Sequence, residues 1–126
     1  MNIPTNLLYS ESHEWVDKLG ADKARVGLTD FAQNQLGDLV FVNLPAVDDG
    51  VDCGQPFADV ESVKAVSDVY SPVSGTVSAV NEELLDTPEL INKEPYGAWM
   101  IEVSEVSDFG ELMDADAYAE FCAKEE

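Results

Sequence analysis

Apolar and polar positions alternate in short bursts along this chain, and the bursts are separated by Gly, Pro and Asp-rich stretches. His13-Glu14-Trp15-Val16 and Ala24-Arg25-Val26-Gly27-Leu28 flank a polar stretch, 17–23, that contains Gly20. Two such runs around a glycine predict a β-hairpin. Thr29 then suits an N-cap, Asp30 suits the first turn and Gly37 suits the C′ position, which predicts a short helix over Asp30–Leu36. Leu39–Leu44 is a continuous apolar run stopped by Pro45 and the turn-prone Asp48-Asp49-Gly50, so it predicts a buried strand. Phe57–Val60 and Gly75–Val80 predict further strands, and Ser71-Pro72 and Ser74-Gly75 mark the corners between them.

The segment 60–69 fits neither period cleanly, because Val60, Val63, Val66 and Val69 recur every third residue. Its density of β-branched residues favours a strand, and no Asn-Gly signal announces a tight turn. The stretch 81–92, with Pro88, predicts a loop or short helix, and Tyr96–Val103 another strand. Asp114 caps a last helix, about 114–124, whose Ala115, Tyr118, Phe121 and Cys122 share one face and predict packing against a sheet. No linker, low-complexity run or internal repeat interrupts the chain, so 1–126 reads as one mainly β domain.

Charge changes the picture more than length does. The 126 residues carry 26 acidic and 6 basic side chains, a formal net charge of −20. Such a surface opposes binding to nucleic acid or to an anionic membrane, and no apolar run is long enough to span a bilayer. It also suits long-range steering toward partners with basic docking surfaces. The N-terminal segment has neither a basic leader pattern nor an Arg-rich amphipathic stretch, so a bacterial cytoplasmic protein is expected, with a mature mitochondrial matrix form as the alternative.

Cys53 and Cys122 form no metal or redox spacing, and His13 is the sole histidine, so no metal site is expected. Both cysteines are expected reduced and at least partly buried. His13 is expected to be structural, since neither a nucleophile nor an acidic partner stands beside it in the sequence.

Lys64 stands out because so few basic residues exist and because its neighbours are Val63 and Ala65. On these grounds alone a strand lysine whose stem passes apolar neighbours is the simpler explanation. An amine in this setting is also an acceptor for covalent modification. Its wider company decides between them: Gly54 lies ten residues before it, Glu61 three before and Gly75 eleven after.

That spacing resembles the lipoyl and biotinyl carrier domains, in which the modified lysine sits at the tip of a β-hairpin. Further blocks resemble the glycine cleavage system H-protein family over nearly the whole chain. They include Tyr9-x-x-Ser12-His13-Glu14-Trp15, Val26–Gln33, Leu36–Pro45, Glu61-Ser62-Val63-Lys64-Ala65, Ser71–Gly75, Leu90-Ile91-Asn92 and Pro95–Met100. Ala98, where the family commonly has Gly, and Cys53 depart from the pattern. Biotin carriers flank their lysine with methionines, and lipoyl domains of 2-oxo acid dehydrogenases place Asp before it; here those positions hold Val63 and Ala65.

The resemblance implies a lipoyl-domain-like flattened barrel or sandwich of antiparallel strands, the hybrid barrel-sandwich, with a lipoyl-like core about 22–104, an N-terminal strand extension and a C-terminal helix. It implies a carrier rather than an enzyme, with lipoate amide-linked to Lys64. The arm would receive the aminomethyl group of glycine from glycine decarboxylase, deliver it to aminomethyltransferase and be reoxidised by dihydrolipoamide dehydrogenase. A lipoate-protein ligase or octanoyl/lipoyl transferase would load it. The family's arm cleft maps onto Ser12, Glu14 and Asp68, with Glu14 and Asp68 as partners for the cargo ammonium. Glu61 maps onto recognition by the lipoylating enzyme, and Gly54 and Gly75 onto the backbone that presents the hairpin. A monomer is expected. A lipoyl relay that donates lipoate to other proteins and a non-lipoylated binding module are the alternatives.

Overall fold

The computed structural model describes residues 2–125. Its strands are β1 (Leu8–Tyr9), β2 (Glu14–Gly20), β3 (Lys23–Leu28), β4 (Leu39–Asn43), β5 (Gly50–Val51), β6 (Pro56–Ser62), β7 (Val66–Tyr70), β8 (Ser74–Val80) and β9 (Ile101–Asp108). Its helices are α1 (Asp30–Leu36), α2 (Glu83–Asp86), α3 (Leu90–Lys93) and α4 (Ala115–Glu125). One sheet has six strands in the order β1-β2-β3-β9-β8-β5, and the other has three in the order β4-β6-β7. Every strand pair is antiparallel, which confirms the expected mainly β fold with its short helix and C-terminal helix.

Local sequence accounts for most of these boundaries. The Thr29 side chain accepts the Ala32 N–H at 3.2 Å and starts α1. Gly37, at φ 83°, ends it and donates its N–H to Gln33 O. Asp114 accepts the Ala117 N–H at 2.8 Å and caps α4, whose buried face is Ala115, Tyr118 and Cys122. The stretch 81–92 resolves into two single-turn helices on either side of Pro88. The hairpin of β2 and β3 is longer than expected, since β2 continues through polar 17–20 with an exposed far half.

Three expectations change. Strand β4 is not buried along its length: Leu39 and Val42 face the core, while Val40 and Phe41 are exposed. Tyr96–Met100 is not strand: Gly97 and Ala98 N–H both return to Glu94 O, and Trp15 Nε1 donates to Pro95 O at 2.9 Å. The strand begins at Ile101 and continues to Asp108 because β8 supplies a ladder there, pairing Thr76 with Ser104 and Ser74 with Asp108. The segment around Lys64 is likewise not one strand. It is a hairpin, with β6 and β7 paired and residues 63–65 forming the turn.

Three apolar clusters hold the sheets together. One joins β3, β4, β6 and β7 to the helices through residues such as Leu28, Val42, Val60 and Ile91. The second lies within the six-stranded sheet around Val26, Val77 and Val103, and Phe57 packs against both. The third, Tyr9, Trp15, Phe31, Tyr118 and their neighbours, fastens α4 over β1 and β2. Gly27 serves that third cluster, since a Cβ there would meet the Trp15 indole at 2.6 Å.

Candidate functional site

Lys64 stands in the exposed turn that links β6 to β7. Ser62 shapes that turn: its Oγ accepts the N–H of Ala65 at 3.1 Å and of Lys64 at 3.3 Å, while its own N–H donates to Ala65 O. Short side-chain-to-backbone bonds of this kind replace an Asn-Gly turn, which is why the sequence carried no familiar turn signal. The Val63 N–H donates to Asp38 O and ties the turn to the loop after α1. Lys64 makes no ion pair among the described residues. Its stem lies over Gly37, where a Cβ would come within 3.2 Å of Cε. Exposed Val63, Val66, Val40 and Phe41 form an apolar collar on this end of the small sheet.

Glu14 opens β2 and is almost wholly buried, at 1% exposure. Ser10 and Ser12 both donate from Oγ to its Oε1, at 2.7 and 2.5 Å. Burial pushes its carboxyl up from 4.5 to about 7, against the two serine bonds and a backbone bond from Tyr70, which favour the charged form. Burial of a carboxyl with only neutral donors around it has this result, because nothing nearby repays the lost hydration of a full charge.

A cavity of about 160 Å³ opens beside this carboxyl, between the start of β2, α1 and the β6–β7 hairpin. Ser12, Glu14 and Asp68 all line it, together with His13, Gln35, Ser67 and apolar walls from Leu28, Leu36, Val60 and Val69. The expected cleft residues thus share one cavity, although Asp68 itself is exposed and Glu14 is not. A cavity with an apolar lining, one buried carboxyl and one solvated carboxylate suits a small cationic head on an otherwise apolar arm.

The other expected residues lie elsewhere. Glu61 is exposed near the end of β6, opposite Phe41. Gly54, at φ 79°, sits at the base of the hairpin, where its N–H donates to Ser71 O. Gly75 lies in β8 beside Val51, and a Cβ there would strike Ser104 O at 2.7 Å. Ser10 was not anticipated, although its alternation with Ser12 and Glu14 is visible in the sequence.

His13 also differs from expectation in one respect. It has an acidic partner, Glu125 at 2.7 Å, which lies too far along the chain for sequence proximity to reveal. Cys53 is half-buried and Cys122 buried, which matches the expected burial. Among the described residues no cluster of His, Cys, Asp and Glu suits a metal, and no helix is long and apolar enough to cross a membrane.

An exposed hairpin lysine beside a cavity with a buried carboxyl narrows the comparison to known carriers. The profile of the family described as glycine cleavage H-protein matches residues 7–125. The chain belongs to that family. It is 57% identical over 127 residues to the glycine cleavage system H protein of Halalkalibacterium halodurans, with 98% of each chain covered. It is 53% identical over 125 residues to that of Lachnoclostridium phytofermentans, covering 99% of this chain and 98% of the other. A crystal structure of a glycine cleavage system H protein from Mycobacterium marinum superposes with a TM-score of 0.88 at 40% identity, covering 94% of this chain and 97% of that one. As an H-protein, the chain is a carrier within the glycine cleavage multienzyme system. Its family resemblance was therefore legible from the lysine's neighbours and the blocks around them.

Proposed function

We propose that Lys64 bears an amide-linked lipoyl group and that the 160 Å³ cavity lined by Ser12, Glu14 and Asp68 shelters the aminomethyl cargo between partner enzymes. The observation that carries this reading is the pairing of an exposed turn lysine with a nearly buried Glu14 in the neighbouring cavity. The residues present fit the group: the turn leaves the amine open to a modifying enzyme, and the cavity walls are apolar where an aliphatic arm would lie. When attached, the lipoyl group supplies a disulfide that can be opened by a carbon nucleophile and closed again by oxidation.

The chain's own residues do the sheltering. Before cargo arrives, Glu14 with its carboxyl near 7 is about half protonated at neutral pH and largely protonated below it, which lowers the cost of keeping it buried. A cationic amine entering the cavity repays the hydration that the carboxylate loses, so Glu14 gives up its proton to solvent and pairs, as a carboxylate, with the ammonium. Ser10 and Ser12 keep donating to Oε1 and fix the carboxyl's direction. Asp68, at the solvated side, adds a second negative charge toward the same amine. An ammonium held protonated has no free lone pair with which to expel a sulfur leaving group, and apolar Val60, Val69 and Leu36 limit water.

Glycine decarboxylase, aminomethyltransferase and dihydrolipoamide dehydrogenase are the partners in turn, and a lipoate-protein ligase or octanoyl/lipoyl transferase loads Lys64. The collar of Val40, Phe41, Val63 and Val66, rimmed by Asp38, Glu61 and Asp68, suits a tunnel mouth with an apolar lip and basic surroundings. Glu61 is the recognition residue for the loading enzyme, and Gly54 and Gly75 shape the base of the hairpin. The core of the carrier is about 22–104, with the N-terminal strand extension and α4 as additions. The setting is bacterial cytoplasm.

Intact mass tests the assignment. Expressed with lipoate and a loading enzyme, the parent chain gains one lipoyl mass, and Lys64→Arg gains none while keeping its far-UV spectrum and melting temperature. With purified partner enzymes the loaded parent supports glycine cleavage and the arginine variant does not. Glycine cleavage by Lys64→Arg would rule out the lysine as carrier. Loading without glycine cleavage would instead point to a relay that passes lipoate on.

A further inference from the structure

The chain reverses between β1 and β2 through Ser10–His13. The His13 N–H donates to Ser10 O at 3.1 Å, and the Ser10 N–H donates to Glu14 O at 2.9 Å. A hairpin loop of this length ends on a residue in the left-handed region, where glycine is favoured. Here that residue is His13, at φ 71°. A residue with a side chain keeps such a backbone only where its surroundings hold it, and this one lines the cavity together with its neighbours Ser12 and Glu14.

The holding contacts come largely from α4. His13 Nδ1 lies 2.8 Å from the Tyr118 hydroxyl, and Nε2 lies 2.7 Å from the Glu125 carboxylate. The imidazole stacks on Phe31 at 4.5 Å between centroids and meets Phe121 at 5.7 Å. The Tyr118 hydroxyl lies 2.6 Å from Thr29 Oγ1, which already accepts the Ala32 N–H. These distances are met when Thr29 donates to Tyr118, Tyr118 donates to Nδ1, and Nε2–H donates to Glu125. The backbone agrees, since the Thr29 N–H donates to His13 O at 3.2 Å.

We propose that His13 is a positioning residue for the cargo cleft: anchored to the C-terminal helix, it fixes the Ser10–His13 turn so that Ser10 and Ser12 stay aimed at the Glu14 carboxyl. This rests on the carrier reading of that cleft. The chemical argument is that removing the anchor leaves the turn free to relax. Ser12, at the cavity wall, then moves off Oε1, and water reaches a carboxyl that was almost wholly buried.

Three variants and two readouts test this. His13→Gly accepts the left-handed backbone without strain but deletes the anchor. His13→Asn also tolerates the backbone, yet it is too short to span Tyr118 and Glu125. Tyr118→Phe keeps the ring stacked on Tyr9 at 4.6 Å and removes only the hydroxyl, which guards against a variant that fails to fold. In the unlipoylated chain, a carbon NMR titration of the Glu14 carboxyl reads the environment directly. The midpoint is expected to fall by about one pH unit in His13→Gly and His13→Asn, because entering water relieves burial, the largest cause of its rise, by more than the lost Ser12 bond raises it, and to fall by less in Tyr118→Phe. In the loaded chain, away from any partner, cargo lifetime is expected to shorten about tenfold in the histidine variants, as loss of positioning commonly costs.

Glu14→Gln in the same lifetime assay checks the carrier reading itself and is expected to shorten the lifetime. If it does, while His13→Gly lowers only the melting temperature and leaves both titration and lifetime unchanged, His13 is merely structural and the proposal is overturned. If Glu14→Gln leaves the lifetime unchanged, the carrier reading of the cleft falls and takes this proposal with it.

Discussion

At the scale of single residues, the Glu14 carboxyl is the place where folding and the proposed cargo role oppose each other. Its ionisation is raised from 4.5 to about 7 by burial, so the folded chain holds a proton over a range in which the unfolded chain has lost it. Between those two values the native state binds more protons than the unfolded state, and stability therefore falls as pH rises. The full contribution is present below about 4.5 and is gone above about 7. A difference of that size corresponds to roughly 3 kcal/mol as an upper bound. Glu14→Gln keeps the shape and an acceptor oxygen for the Ser10 and Ser12 hydroxyls but cannot ionise. The unloaded variant is expected to be more stable than the parent by about 1–3 kcal/mol at pH 8 and nearly equal to it at pH 4.5. Urea titrations of both chains at the two pH values measure this. Equal stabilities at pH 8 would mean that the carboxyl is not held in a dry site.

At the scale of elements, the close approach of β2 and β3 depends on one missing side chain. Trp15 stands opposite Gly27 in the ladder, and a Cβ on Gly27 would lie 2.6 Å from the indole. The ring cannot move aside freely, because it is 2% exposed and its Nε1 donates to Pro95 O. Gly27→Ala is therefore expected to destabilise the chain by about 1–3 kcal/mol through overpacking. Gly20→Ala, where nothing lies within 4 Å of the new methyl, is expected to stay within about 0.5 kcal/mol of the parent. Chemical denaturation of both, with unchanged denaturant dependence, separates the two. An equal effect would show that the ring adapts. The sequence could not tell these glycines apart, since the contact that distinguishes them is made across strands.

The same limit explains what was and was not legible. Thr29, Asp30 and Gly37 announced α1 because capping is local chemistry, and α1 begins and ends where those residues put it. Strand β9 was misplaced because polar Ser104, Glu105 and Asp108 carry no strand signal of their own and are recruited by β8. At the candidate site, Lys64 was singled out through its spaced neighbours and lies in an exposed turn, whereas Ser10 and the Glu125 partner of His13 depended on how β1 and α4 are brought against β2. The short β1 and β5 strands escaped notice for a similar reason, being two residues each and defined by their partners.

At the scale of the whole molecule, charge and cavity should respond to salt in different ways. The net charge of −20 is carried mostly by exposed carboxylates, and three of the six cations, Lys18, Lys23 and Arg25, are engaged on the six-stranded sheet with Phe109, Glu102 and Trp99. Around Lys64 the rim of Asp38, Glu61 and Asp68 lies open to solvent, so a partner with a basic tunnel mouth feels it before contact. Exposed charges are screened over roughly 10 Å at 0.1 M salt, while a buried pair is screened far less. The second-order rate constant for each enzyme acting on the loaded carrier is therefore expected to fall about tenfold between 0.02 and 0.5 M sodium chloride. Cargo lifetime on the free carrier, if set as proposed by Glu14 inside the cavity, is expected to change less than about twofold over the same range. Both are read by stopped reactions at stepped salt, with mass spectrometry of the carrier as the second measurement. A flat encounter rate would remove steering as the purpose of the acidic surface and leave docking to the apolar collar. A cargo lifetime that collapsed with salt would place the ammonium in open solvent, outside the cavity that Ser12 and Glu14 form.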